Sequence, residues 1–550
     1  MTTSSLTATE TPDAPARSAI FKFTPFALYA LIILTFHPFY RYLIGPDAIS
    51  YVSIADHILH GQWTEAANPY WSPLMSWLIL PLRALNVPGM LAAQTVCITS
   101  GLAVLWLVRR LARVLGLKPG TELVAACTAA VMTASFALVW ITPDLLSTAI
   151  ILYYLTIALS PENWLRGRAG IRCGILGAIA YLAKAYNFYY FLAHFVLVAA
   201  AFWVSNRNRE ERNRILRQLA TGLVVFFVFC LPWIVLVSVR AGTPTISTAS
   251  TWNRRLVGPD SPGNPQFYRL MPPSSPHALS MWENPSPSLL PSWSPLASVR
   301  NLKQQIRLIV VNLRGVFEIL RHLSFFALSA LVVYALWGIS RPKDPIPLLV
   351  TMTILLMPAG YLLVTLRDRY AWDDRYLYGA LFLVMLAGFV DIELGASVLT
   401  KFARKLGIAI YALSLILEPS WALVRSRNIG RNLYVTMSGL RGVIAPGSRL
   451  AVCGQWNDGI AMAYILGTPF YGSTGITLDE EEFRATLNPN PNPQGIPKQA
   501  TSSEIEASLR GNQINYLFAL PGCPVLPPAE FLRKPVEVPG LRDFKIFRLL

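Results

Sequence analysis

Long apolar runs alternate with short polar segments over most of the chain, and these runs, several of them short, predict membrane-crossing helices. Taken in order they predict about eleven spans, at 24–44, 89–109, 121–141, 143–160, 170–183, 186–204, 215–239, 318–340, 346–366, 376–394 and 403–424. One apolar stretch reads differently. Residues 72–85 (SPLMSWLILPLRAL) are too few to cross, are interrupted by Pro81 and are followed by Asn86 and Pro88, so they predict a helix lying in the membrane interface. Just before it, Ile49, Val52, Ile54, Ala55, Ile58 and Leu59 give the segment 48–60 an apolar side. That segment predicts a second helix on the membrane surface.

The pattern changes at both ends. Residues 1–19 are rich in Thr, Ser, Ala and Pro and predict a disordered tail. From residue 428 the apolar runs shorten to strand length. Ser448–Val452, Tyr516–Leu520 and Phe544–Leu549 predict strands, while Asp458–Leu466 and Thr501–Arg510 predict helices. Such alternation predicts a small α/β domain over 428–550, with Asn488–Pro497 as a structureless surface loop. The fold class expected is therefore mainly α: a polytopic helical bundle over 20–427, with the α/β domain appended.

Composition supports the membrane reading. The chain is 53% hydrophobic and only 14% charged, against about 25% charged in soluble proteins. The net charge of +17 is then no nucleic-acid footprint, because Lys and Arg collect in cytoplasmic loops. Five basic clusters test the topology: Arg109 to Lys118, Arg166 to Arg172, Arg207 to Arg217, Arg341 with Lys343, and Lys401 to Lys405. All five fall on one side only if 72–85 does not cross. The N-terminus is then inside, and the loops 45–88 and 240–316 and the C-terminal domain are outside, as in a bacterial-type cytoplasmic membrane. The 240–316 loop is dense in Pro, Ser and Trp, which excludes long helices and suits a partly ordered lid. Cys97, Cys127, Cys173 and Cys230 sit in apolar runs as packing residues. An outside location would let Cys453 and Cys523 pair.

Candidate chemistry gathers at the outer ends of the spans. Asp47 stands where the first span ends. A carboxylate there serves as a general base for a hydroxyl acceptor, or it simply caps the following helix. Asp144, opening the span after Thr142–Pro143, carries the same two readings and lies on the same side. Lys184, beside Tyr186 at an outer turn, suits a lipid phosphate or snorkels to the surface. Arg375 and Tyr376 follow a run of six charges between Arg367 and Arg375. Arginine there binds phosphate bidentately, or pairs with its acidic neighbours. Arg254 and Arg255 in the long loop are weaker candidates of the same kind. His57 and His60 lack a third metal ligand and read as bystanders, with Asp56 and Glu65 as solvated acids.

Five stretches, in order, carry a resemblance: GPDAISYVSIADHILHG, NPYWSPLMSWLILPL, TPDLLSTAIILYYLTIAL, YLAKAYNFYYFLA and DDRYLYGALFLVMLAG. Over residues 20–395 the chain resembles the GT-C superfamily of membrane glycosyltransferases, especially the protein-mannosyltransferase and aminoarabinose-transferase-like branch. The resemblance implies a polyprenyl-phosphate-linked sugar donor and a lipid, glycan or protein acceptor reached from the outer face. It also implies inversion at the anomeric carbon. Asp47 would be the catalytic base and Asp144 the second carboxylate, while Lys184, Arg375 and Tyr376 would hold the donor phosphate. Many relatives place a second acid beside the first, where this chain has Pro46–Asp47–Ala48. A lone carboxylate holds a divalent cation poorly, so neither a metal nor any other cofactor is expected. The alternative, a transporter of lipid-linked sugars, calls for ionisable groups near the membrane midplane. His37 and His194 are the main ones.

Overall fold

The computed structural model describes residues 14–341, 344–364, 373–395, 400–445, 447–475, 500–533, 535 and 545–549. The expectations at 1–13, Lys343, 367–369 and 488–497 lie outside the described residues. The first helix, Ala14–Tyr40, begins inside the stretch expected to be a tail.

Among the described residues, eight helices are long and apolar enough to cross a membrane: Lys22–Tyr40, Gly89–Val114, Pro119–Val139, Tyr186–Ser205, Arg209–Ala241, Ile346–Leu363, Asp374–Leu394 and Lys401–Arg425. The protein is a multi-pass integral membrane protein, mainly α-helical. A ninth crossing is at most a bent pair, and the other two of the eleven expected spans fall on Asp144–Ala158 and Ala169–Ala183, apolar helices of 15 residues each. At 1.5 Å per residue these reach about 22 Å, short of the ~30 Å hydrocarbon layer.

The bent pair corrects the reading of 318–340 as one straight span. Helices Val299–Leu323 and Ala327–Ile339 meet at 104°. Ser324 breaks the run in an extended conformation (φ −164°, ψ 142°); its hydroxyl accepts the Phe326 N–H at 3.1 Å and meets the Ser414 hydroxyl at 2.6 Å. The first helix of the pair also takes in residues 299–316, which were expected to be loop. The prolines of the loop stop at Pro295, and Ser298 then caps a new helix by accepting the Asn301 N–H at 3.1 Å.

The two helices of the first loop form as expected, at Pro46–Leu59 and Leu74–Ala84. The former does not lie open on the membrane. Ala48, Ile49, Tyr51, Val52, Ile54 and Ala55 are buried in one apolar cluster with Met75 and Ile79, Ala92 and Ala93, and Trp456 and Ile460 of the C-terminal domain. Asp56, expected to be solvated, holds Arg83 through two hydrogen bonds of 2.7 and 3.1 Å.

Among its described residues the C-terminal α/β domain carries four strands, β1 (Leu450–Cys453), β2 (Phe470–Ser473), β3 (Tyr516–Ala519) and β4 (Lys545–Arg548), in the order β2-β1-β3-β4. β1 runs parallel to β2 and β3, and β4 is antiparallel to β3. Cys453 and Cys523 form a disulfide.

Candidate active site

Asp47 and Asp144 each open a helix, yet neither caps it. Pro46 takes the first helical position and Asp47 follows it, with no capping bond from the flanking side chain. The Asp47 carboxylate instead accepts from Arg375 Nη1 at 3.0 Å through Oδ2, and from the Trp282 indole at 3.3 Å through Oδ1. Asp144 is the first residue of its helix, again without a capping bond. Its Oδ1 takes the Lys184 ammonium and its Oδ2 the Thr142 hydroxyl, the latter at 2.7 Å. Both carboxylates sit where the positive end of a helix favours an anion.

The two cations meet across one tyrosine. Lys184 does not snorkel outward; its ammonium lies 4.1 Å from the Tyr376 ring centre and 5.3 Å from that of Tyr361. Arg375 lies over Trp140 and Tyr376, at 4.8 and 5.0 Å, and pairs with Asp373 at 3.4 Å. Tyr186, Tyr361 and Tyr376 stack in sequence, with ring centres 4.2 and 4.8 Å apart. The Tyr186 hydroxyl anchors the stack on the Met357 carbonyl at 2.7 Å. Aromatic faces stabilise cations where water is scarce, so the charges are held in place while one side of each stays open.

That open side faces a cavity of about 1470 Å³. Asp47, Asp144, Lys184, Arg375 and Tyr376 all line it, as do Arg254 and Arg255. Its apolar flank includes Tyr189, Ala193, Leu356 and Leu363, and the C-terminal domain contributes Trp456 and Asn457. Arg254 is exposed. Arg255 spends part of its guanidinium on loop carbonyls, those of Pro287 at 2.7 Å and Leu290 at 3.3 Å.

Sequence reading missed how the long loop reaches Asp47. Trp282 and Glu283 are bolted to the first loop. The Trp71 indole donates to the Trp282 carbonyl at 3.2 Å, and Asn68 Nδ2 donates to the Glu283 carbonyl at 2.6 Å. The Glu283 carboxylate meets His57 Nε2 at 2.5 Å and accepts the Leu279 N–H at 3.1 Å. His57 is thus no surface bystander. Burial pulls its pKa down, but the hydrogen bond and charge of Glu283, with Gln62 beside them, outweigh burial and leave it raised. The only signal in the sequence was an acid beside a tryptophan, with no other Asp, Glu, Lys or Arg between Arg269 and Arg300. His194 is buried and satisfied, between the Tyr154 hydroxyl at 2.8 Å and the Thr353 hydroxyl at 2.7 Å. Among the described residues no group of three or more His, Cys, Asp or Glu could hold a metal ion.

No family model matches the chain, and no curated protein matches its sequence. Solved structures do match its shape. The aminoarabinose transferase ArnT from Cupriavidus metallidurans, bound to undecaprenyl phosphate, superposes with a TM-score of 0.56 at 16% identity, covering 98% of both chains. The chain has the GT-C fold. The apo form of the same transferase matches the GT-C chain with a TM-score of 0.53 at 16% identity, again over 98% of both. The Archaeoglobus fulgidus oligosaccharyltransferase, solved with zinc and sulfate, gives 0.52 at 12% identity, over 87% of this chain and 64% of its own.

Proposed function

We propose that this protein is an integral-membrane glycosyltransferase that moves a hexosyl or pentosyl unit from a polyprenyl-phosphate donor to a lipid, glycan or protein acceptor, with inversion. One observation carries the reading: two acids and two cations, drawn from four separate segments, converge around Tyr376 on the wall of one large, partly apolar cavity. The ArnT structure with undecaprenyl phosphate supports a polyprenyl-linked partner for a chain of this shape. The donor phosphate would lie against Lys184 and Arg375, with the prenyl tail along the Tyr189–Leu363 flank. As the bond from the anomeric carbon to the phosphate oxygen breaks, the two cations take up the charge left on the phosphate. Asp47 accepts the proton of the acceptor hydroxyl, whose oxygen forms the new glycosidic bond. Asp144 keeps Lys184 aimed at the phosphate. The Trp282 loop closes the cavity and limits hydrolysis.

The basic clusters at the opposite helix ends support an outward-facing site by the positive-inside rule. The Cys453–Cys523 disulfide supports the same orientation, since disulfides persist in oxidising compartments. The test is transfer by purified wild type and Asp47→Asn from a panel of polyprenyl-phosphate sugars. The wild type should use at least one donor, and the variant should lose about 10²-fold or more in kcat, the range for a lost general base. Equal activity removes Asp47 from its role. No activity with any donor removes the reaction.

A further inference from the structure

The helix Val299–Leu323 carries three strips along its whole length. Gln304, Leu308, Asn312, Gly315 and Ile319 are buried against the protein. Opposite them, Leu302, Ile306, Val310, Leu313 and Phe317 are exposed. Between the two, on one flank, Lys303, Arg307 and Arg314 are exposed as well. At 100° per residue these three cations fall within roughly 40° of one another around the helix axis.

A helix that crossed the bilayer would put such a strip into hydrocarbon, where lone cations are expelled. Its charges would gather at the ends instead. A strip running alongside a full-length apolar stripe belongs to a helix lying in the interface, apolar side down. The 104° turn into Ala327–Ile339, which contains no charged residue, then marks where the chain enters the membrane. The neighbouring cations are already used by the protein: Arg300 pairs with Asp260 at 2.9 Å and Arg321 with Glu318 at 2.6 Å. Lys303, Arg307 and Arg314 form no ion pair among the described residues.

We propose that Lys303, Arg307 and Arg314 form a binding surface for the headgroups of anionic phospholipids in the bilayer leaflet beside the site. The charge of the strip selects the occupant, and its height beside the apolar stripe puts it at headgroup level. The surface is coupled to the cavity through the buried strip. Asn312 Nδ2 donates to the carbonyls of Tyr361, Leu362 and Val364, at 3.4, 3.1 and 2.9 Å, and Gln305 Nε2 donates to that of Leu363 at 3.2 Å. Tyr361 lies in the stack beneath Lys184. A lipid-seated helix therefore steadies one wall of the cavity.

Direct lipid binding tests this without any sugar donor, so its outcome is separate from that of the proposed reaction. Full-length protein in neutral detergent is titrated with phosphatidylglycerol or phosphatidylcholine, and retained lipid is counted by native mass spectrometry. Each cation near an anionic surface contributes roughly fivefold. The wild type should therefore favour phosphatidylglycerol by on the order of tenfold or more, and the Lys303→Gln/Arg307→Gln/Arg314→Gln variant should show no preference. Its thermal stability in detergent alone should match the wild type, since the three side chains are exposed. In nanodiscs, phosphatidylglycerol should slow hydrogen exchange at residues 361–364 in the wild type and not in the variant. An Asn312→Ala variant should lose that protection while keeping the lipid preference. Equal retention of the two lipids by the wild type, or unchanged preference in the triple variant, overturns the proposal.

Discussion

The two ends of the helix Pro119–Val139 hold acids in different ways. Glu122, in its first turn, takes Arg109 at 3.1 Å and Arg113 at 3.0 Å. Glu393, close by through the Thr121 hydroxyl, takes Lys118 at 3.0 Å and Arg404 at 3.6 Å. Each acid there is matched by two cations, and none of these residues lines the cavity. Past the other end of that helix, Asp47 and Asp373 pair with Arg375, and Asp144 pairs with Lys184. Those two cations lie on aromatic rings and open onto a cavity of about 1470 Å³. Ion pairing is common to both ends and so marks neither as reactive. What separates them is that Lys184 and Arg375 are held by ring faces and left open on one side to a ligand.

The largest effect should come from exchanging one member at each end. Arg375→Gln removes the cation shared by Asp47 and the proposed phosphate. It should cost about 10²–10³-fold in kcat, the range for a lost donor to developing charge, with the fold intact by circular dichroism. Glu122→Gln should do the reverse. It strands Arg109, whose side chain is only 10% exposed, although Arg113 at 58% is well solvated. About 1–3 kcal/mol of stability should go, below the full cost of breaking a buried pair, while turnover per folded molecule stays at the wild-type level. Equal losses of turnover from both variants would erase the distinction between the ends.

A smaller effect isolates the indole N–H. Trp282→Phe keeps an aromatic ring against Tyr70, Trp71 and Trp456 but removes the donor 3.3 Å from Asp47. A hydrogen bond to a charged group contributes about 1.5–3 kcal/mol, and this one is long. The expected loss is about tenfold in kcat with little change in KM, measured by steady-state transfer assays. A rise in KM with kcat unchanged would make Trp282 a substrate contact and not an orienting group.

How much of this was legible follows from range. Asp47, Asp144, Lys184 and Arg375 were visible because hydropathy fixes span ends and charge asymmetry assigns them a side. Residues far apart in sequence thus share a face before any contact is known. Trp282 was not visible. It reaches Asp47 across 235 residues, from a proline-rich loop with no periodicity to read. The break at Ser324 was hidden for another reason. The apolar run LSFFALSA continues through it, and hydropathy reports composition but not direction. β2 escaped because it includes Gly472 at φ +111°, a poor strand former with no side chain to pattern. The capping roles anticipated for Asp47 and Asp144 failed because a proline precedes each. Pro46 sets the first turn of its helix and Pro143 takes the cap position of the other, which leaves both carboxylates to bind a cation.

The smallest effect concerns the clip that holds Trp282, and it depends on pH. The His57–Glu283 pair raises the His57 pKa above its ordinary 6.5 against the pull of burial. A histidine whose pKa is higher folded than unfolded contributes stability that is complete below the unfolded value and fades as pH passes the folded one. The groups facing His57 are Glu283, Gln62 and Glu65. Of these, Glu65 is held below its ordinary value by the Thr64 hydroxyl, which keeps it out of this window, and the change is assigned to the imidazole. The Tm should fall by a few degrees on going from below pH 6.5 to well above it, and proteolysis within the 274–298 segment should quicken over the same range. His57→Asn should flatten both profiles at the level of the wild type at high pH. Glu122→Gln should lower the Tm by the same amount at every pH in the window, because its cations stay charged throughout. If His57→Asn keeps the wild-type slope, another group sets it and the clip is held by its neutral hydrogen bonds alone.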